Sequence, residues 1–156
     1  MKLRLTDHFS LDEMLRSDTA LRLGINNSNP PFEVVRNLGL LADTMERVRA
    51  QLGVPIYISS GYRCPALNAA IGGAKTSAHM HGLAVDFIAP DFGSPLEVAQ
   101  KIAGSLIDYD QLIHEGAWVH LAISRHNNRC EELTAHFDKG RVSYTAGLSL
   151  SRNTVA

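Results

Sequence analysis

Surplus charge of either sign is missing from this chain. Its 15 Lys and Arg stand against 16 Asp and Glu, for a formal net charge of -1. A phosphate backbone is held by clustered cations, so nucleic acid is not an expected partner. Long apolar runs are also lacking. Stretches such as Leu40-Leu41-Ala42 fall far short of the roughly 20 residues a bilayer span needs, so no membrane partner is expected. Cysteine is scarce, with only Cys64 and Cys130 in 156 residues. The opening MKLRLTDHFS carries no apolar export segment, so the two read as free thiols and the protein as one made in the cytoplasm. Internal repeats and low-complexity stretches are absent too. What remains, 45% apolar and 20% charged residues, is the composition of a soluble globular protein. The length predicts one domain over residues 1–156, acting as a monomer, with its core at about 9–146 and a loose C-terminal tail.

The pattern of elements predicts an α+β fold. Ser10 with Glu13 forms a capping box, and Phe9 with Met14 a hydrophobic staple, at the start of a short helix. The segment GINNSNPP (24–31) is a loop. Val34, Leu38, Leu41, Met45, Val48 and Leu52 then recur by fours and threes, which predicts a long helix with one buried stripe, stopped at Gly53. VPIYISS (54–60) reads as a strand, Cys64-Pro65 opens a short helix closed by Gly72-Gly73, and AKTSAHMHG (74–82) is a loop. LAVDFI (83–88) is a strand, and a second capping box, Ser94 with Glu97, starts a helix. Residues 109–114 and 118–124 form two strands joined at Glu115-Gly116-Ala117, and RVSYT (141–145) is a further short strand. Strands and helices do not alternate regularly, which favours a mainly antiparallel sheet flanked by helices.

One group of residues invites chemistry. Alternation along LAVDFI puts Asp86 on one face with Ala84 and Ile88. A carboxylate among apolar strand residues needs a partner. In the later strand His120 shares a face with Trp118 and Ala122, so Asp86 and His120 face one cavity if the strands are near each other. His79 and His81 stand in the loop just before Asp86. Two imidazoles and a carboxylate are a common ligand set for catalytic zinc, with the fourth position open to water. The competing reading is a structural Asp–His pair beside a solvated loop histidine.

The segment Ser60-Gly61-Tyr62-Arg63 through Leu67-Asn68 and Gly72-Gly73, followed by Ser77-Ala78-His79-Met80-His81-Gly82-Leu83-Ala84-Val85-Asp86, resembles the signature of the zinc D-Ala-D-Ala carboxypeptidase family. That family includes carboxypeptidases and phage endolysins that cut peptidoglycan peptides. Its pattern Ser-x-His-x-x-Gly-x-Ala-x-Asp is met at every fixed position, and Trp118-Val119-His120 is similar to the stretch holding the last ligand. The likeness runs from about Phe9 to Ser124 and is closest to the compact branch common in phages. It implies a hedgehog/DD-peptidase fold, zinc (Zn2+) held by His79, Asp86 and His120, and stem peptides of bacterial peptidoglycan as partners.

It also implies roles. Arg63 clamps a substrate carboxylate, for which a guanidinium supplies two parallel bonds. Ser77 either binds substrate or braces the loop, and Trp118 either stacks on substrate or covers the sheet edge. His81 competes with His79, but the motif match falls on His79. Many family members carry an acidic residue three positions before the last His, where this chain has Ala117. Glu115 is the nearest acidic candidate for the general base, with Asp110 and Asp108 more remote. The expected activity is a zinc metallopeptidase hydrolysing peptide bonds of the cell wall, of phage or prophage origin. Carboxypeptidase, endopeptidase and L-Ala-D-Glu cleavage are all compatible with it. The alternative, motivated by Ala117, is a catalytically inactive zinc-stabilised cell-wall-binding or virion module.

Overall fold

Capping chemistry sets the helix boundaries in the computed structural model, which describes residues 2–155. Ser10 Oγ accepts the Glu13 amide at 3.3 Å and starts α1 (Leu11–Leu15), with Phe9 and Met14 both buried at its entry. Ser17 repeats the device for α2 (Asp18–Leu23), a helix whose six residues carry too short a pattern to be predicted. The long helix α3 (Phe32–Leu52) buries the expected stripe of Val34, Leu38, Leu41, Met45, Val48 and Leu52. Strand β1 (Tyr57–Ser60) and helix α4 (Pro65–Ala70) follow, with Pro65 in the first turn of α4. The predicted 74–82 loop contains a 3-10 turn at Ala78–His81, stopped by Gly82 at φ 67°. Strand β2 (Ala84–Ile88) is next, and α5 (Pro95–Ala103) then opens on Ser94 with both bonds of its capping box made.

The remaining strands are β3 (Gln111–His114), β4 (Val119–Ala122), β5 (Glu131–Asp138), β6 (Arg141–Ala146) and β7 (Asn153–Thr154). The fold is α+β, with a mostly antiparallel open sheet in the order β1-β2-β4-β3-β5-β6 and β7 beside β5. Two of its pairings, β3 with β5 and β5 with β7, are parallel. Strand β5 was not predicted, because Glu131, Glu132 and His136 break up the apolar alternation of Leu133, Ala135 and Phe137. The segment after β6 is bonded to β5. Phe137 N–H donates to Arg152 O at 2.8 Å, and the Ser149 amide donates to Thr134 Oγ1 at 2.9 Å. Those bonds hold a segment whose exposed polar residues give no burial signal.

By contacts the described residues group into two compact units, one of residues 2–46 and 58–85 and one of residues 47–57 and 86–155. In the first, Phe9, Met14, Leu38, Leu41, Met45 and Leu67 make up the core. In the second, Phe87, Val98, Ile102, Leu112 and Leu121 do so. No described helix is long and apolar enough to cross a membrane.

Candidate metal centre

The SGYR segment shapes the surroundings of His79. Gly61 is required there, since a Cβ would lie 2.4 Å from the Met14 carbonyl oxygen. This close approach lets Tyr62 N–H donate to Met14 O at 2.8 Å. The Gly61 carbonyl is left to accept from His79 Nδ1 at 2.6 Å. A carbonyl can only accept, so Nδ1 carries the proton and Nε2 keeps the lone pair a metal needs. Backbone bonds fix the same loop from the other side. Ser77 Oγ accepts the His79 amide at 3.3 Å, and Arg63 N–H donates to His79 O at 3.1 Å. Ser77 therefore caps the turn. Gly82 closes the turn, with φ +67° and no room for a Cβ, which would lie 2.8 Å from Val34 O.

Two buried amides complete this scaffold, and sequence reasoning missed both. Asn27 Nδ2 donates to Leu15 O at 2.8 Å and Tyr62 O at 2.9 Å, while its Oδ1 accepts the Cys64 amide at 2.7 Å. Asn37 Nδ2 donates to His81 O at 2.8 Å. Asn27 sits in a stretch that reads only as a loop, and Asn37 on a helix whose signal is its apolar stripe. A polar residue beside that stripe was the one available hint.

On the sheet, Asp86 of β2 and His120 of β4 meet as the alternation predicts. Asp86 Oδ1 lies 2.9 Å from His120 Nδ1, and the two side chains are 7% and 12% exposed. His79 is buried as well. His79, Asp86 and His120 each offer one ligand atom, and these atoms all lie within 4.8 Å of one another. Neutral imidazole nitrogens and a carboxylate oxygen this close suit a divalent ion, which zinc would bind at about 2.0–2.2 Å from each ligand. The donor set therefore fits the implied metal. His81, the competing histidine, is exposed and outside this group.

Glu115 follows β3 directly, at a turn closed by Gly116 at φ 78°. Its Oε1 is 4.0 Å from His120 Nδ1, and its side chain is 18% exposed. The remote acidic candidates have other partners. Asp110 holds Arg129 through two bonds of 2.9 Å, which keep its carboxyl below the usual range. Asp108 accepts from Asn128 Nδ2 at 2.8 Å. Trp118 and Glu115 line a cavity of about 760 Å³ together with His114, Leu96, Phe137 and Leu150. Arg63 donates from Nε to Ser60 Oγ at 3.2 Å and lines a smaller, polar cavity of about 290 Å³ with Ser17, Asp18 and Thr19. His114 is buried and bonded through Nδ1 to Ser149 O at 2.9 Å. Cys64 and Cys130 are free.

The chain's relationships agree with this geometry. No curated protein matches it. A family model described as Peptidase M15 matches residues 7–122, a span that contains His79, Asp86, Glu115 and His120. Peptidases of that family depend on zinc. The match covers most of the chain, and the protein belongs to the M15 peptidases, the zinc D-Ala-D-Ala carboxypeptidase family.

Proposed function

We propose that the protein is a zinc-dependent peptidase that hydrolyses peptide bonds of bacterial peptidoglycan, as a carboxypeptidase or endopeptidase of the phage endolysin type. The observation that carries this reading is the close grouping of His79, Asp86 and His120 in a chain of the M15 family.

In this reading His79 binds the ion through Nε2, because Nδ1 is committed to the Gly61 carbonyl. His120 and Asp86 would supply the other two ligands. When bound, zinc supplies Lewis acidity toward a carbonyl oxygen and toward water. Glu115 takes a water proton on Oε1, the oxygen nearest His120, and passes it to the leaving amine. Arg63 clamps a free carboxylate of the stem peptide with two charge-assisted bonds. Trp118 offers an aromatic wall to the substrate in the larger cavity. Ser77 keeps the His79 turn in shape.

Digestion of purified muropeptides by the zinc-loaded protein, read by mass spectrometry, tests the proposal. A new fragment that a chelator abolishes is the expected result, and its mass identifies the bond. An unchanged profile overturns the reading. Ala117, where many relatives carry an acid, favours a second reading: an inactive zinc-stabilised module that binds cell wall or serves in a virion. Under it, wild type and Glu115→Gln are equally inert, and both bind zinc and wall.

A further inference from the structure

We propose that Tyr144, on a strand beyond the family match, donates its phenol O–H to a carbonyl oxygen of the substrate peptide beside Glu115. The inference rests on the peptidase reading above.

Strand register carries it. His120 on β4 lies opposite Ile113 on β3, so the two side chains share a face of the sheet. Ile113 is level with Leu133 on β5, and alternation returns Ala135 to that face. Ala135 lies opposite Tyr144 on β6. Glu115, two residues after Ile113, projects the same way, which is why its carboxylate comes within 4.0 Å of His120 Nδ1. Glu115 directly follows His114, the last β3 residue in the β3–β5 register, which is level with Thr134. Glu115 and Tyr144 thus lie on one face of the sheet, on either side of β5. Strands are spaced about 4.8 Å apart, so about 10 Å of backbone separates Glu115 from Tyr144. At that separation a phenol and a carboxylate can reach toward each other over Ala135, the partner of Tyr144 on β5.

Electrostatics agree with that placement. Burial raises the phenol above its ordinary range, and the charges of Glu115 and Asp86 raise it further. Tyr144 therefore keeps its proton at neutral pH, and it remains a donor. The residue is 53% exposed, so it faces the solvent from which a peptide arrives. Asp86 and Glu115 as carboxylates only accept hydrogen bonds. A neutral donor on this face suits an oxygen that gains negative charge as the peptide bond breaks.

Full-length wild type, Tyr144→Phe and Tyr144→Ala, each zinc-loaded, are compared on one purified muropeptide. Zinc content and thermal midpoint are measured alongside. The inference predicts that Tyr144→Phe lowers kcat by about 100- to 1,000-fold, with zinc content and midpoint unchanged and KM nearly so. Tyr144→Ala should lose little more, because the hydroxyl matters and not the ring. Binding of a phosphinate analogue of the muropeptide should weaken by a similar factor in Tyr144→Phe. Equal kcat in wild type and Tyr144→Phe overturns the inference and leaves the peptidase reading standing. So does a loss seen in Tyr144→Ala alone, which assigns a packing role to the ring. Inert wild type overturns the peptidase reading itself, and the inference with it.

Discussion

The imidazole of His79 donates from Nδ1 to the carbonyl of Gly61 across 2.6 Å. This contact decides which ring nitrogen is available to an ion, and it exists because a residue without a side chain lies against the Met14 backbone. Gly61→Ala places a methyl group 2.4 Å from Met14 O, so the loop must move. We predict a stability loss of about 1–3 kcal/mol, the usual cost of overpacking, and weaker zinc binding than wild type. Urea denaturation and a chelator competition read the two effects.

Asn27 ties three backbone groups of two segments together while almost fully buried. Asn27→Leu leaves Leu15 O, Tyr62 O and the Cys64 amide without that partner. The expected cost is at least about 3 kcal/mol, since each of the three buried polar groups left unsatisfied costs about 1–3 kcal/mol. Thermal unfolding of the variant checks it, and an unchanged midpoint would remove Asn27 from the scaffold.

Glu115→Gln separates proton transfer from metal holding. The carboxamide keeps the shape of the side chain and cannot take a proton. Zinc content should stay at the wild-type level while kcat falls by about 100- to 10,000-fold, the range for a lost general base. Steady-state kinetics on muropeptides and metal analysis of the same sample check both halves.

Asp110 and Arg129 give a pH dependence with a definite sign. The bonds from Arg129 hold the Asp110 carboxyl below its ordinary value. A depressed folded-state pKa contributes stability above the unfolded value, about 3.9, and that contribution fades as pH falls through the lower, folded value. Wild type should therefore resist urea better than Asp110→Asn at neutral pH. The gap should close on acidification below about pH 4. A gap that stays constant with pH would assign the effect to packing and not to charge.

The three residues of the candidate metal group were legible in the sequence, and much of their support was not. Asp86 and His120 meet because period-two alternation is a local rule that survives folding, and His79 was marked by its motif. Capping at Ser10 and Ser94 was legible for the same reason, being settled within four residues. Strand β5 and the pinned tail were not, because each is stabilised by pairing with distant chain and not by its own pattern. Asn27 and Asn37 were hidden likewise. Their partners are backbone carbonyls and an amide far along the chain, and no residue type announces such a contact. Tyr144 was visible only as part of a short strand, since its place beside Glu115 depends on the register of three strands.

Metal content compared between wild type and Asp86→Ala tests the central claim most directly. The proteins are purified alike, loaded with zinc, dialysed against zinc-free buffer and analysed by mass spectrometry of the element. The account predicts one zinc per wild-type chain and almost none in the folded variant, with the same loss in His79→Ala and His120→Ala. Equal zinc in wild type and all three variants, or none in wild type, would contradict it.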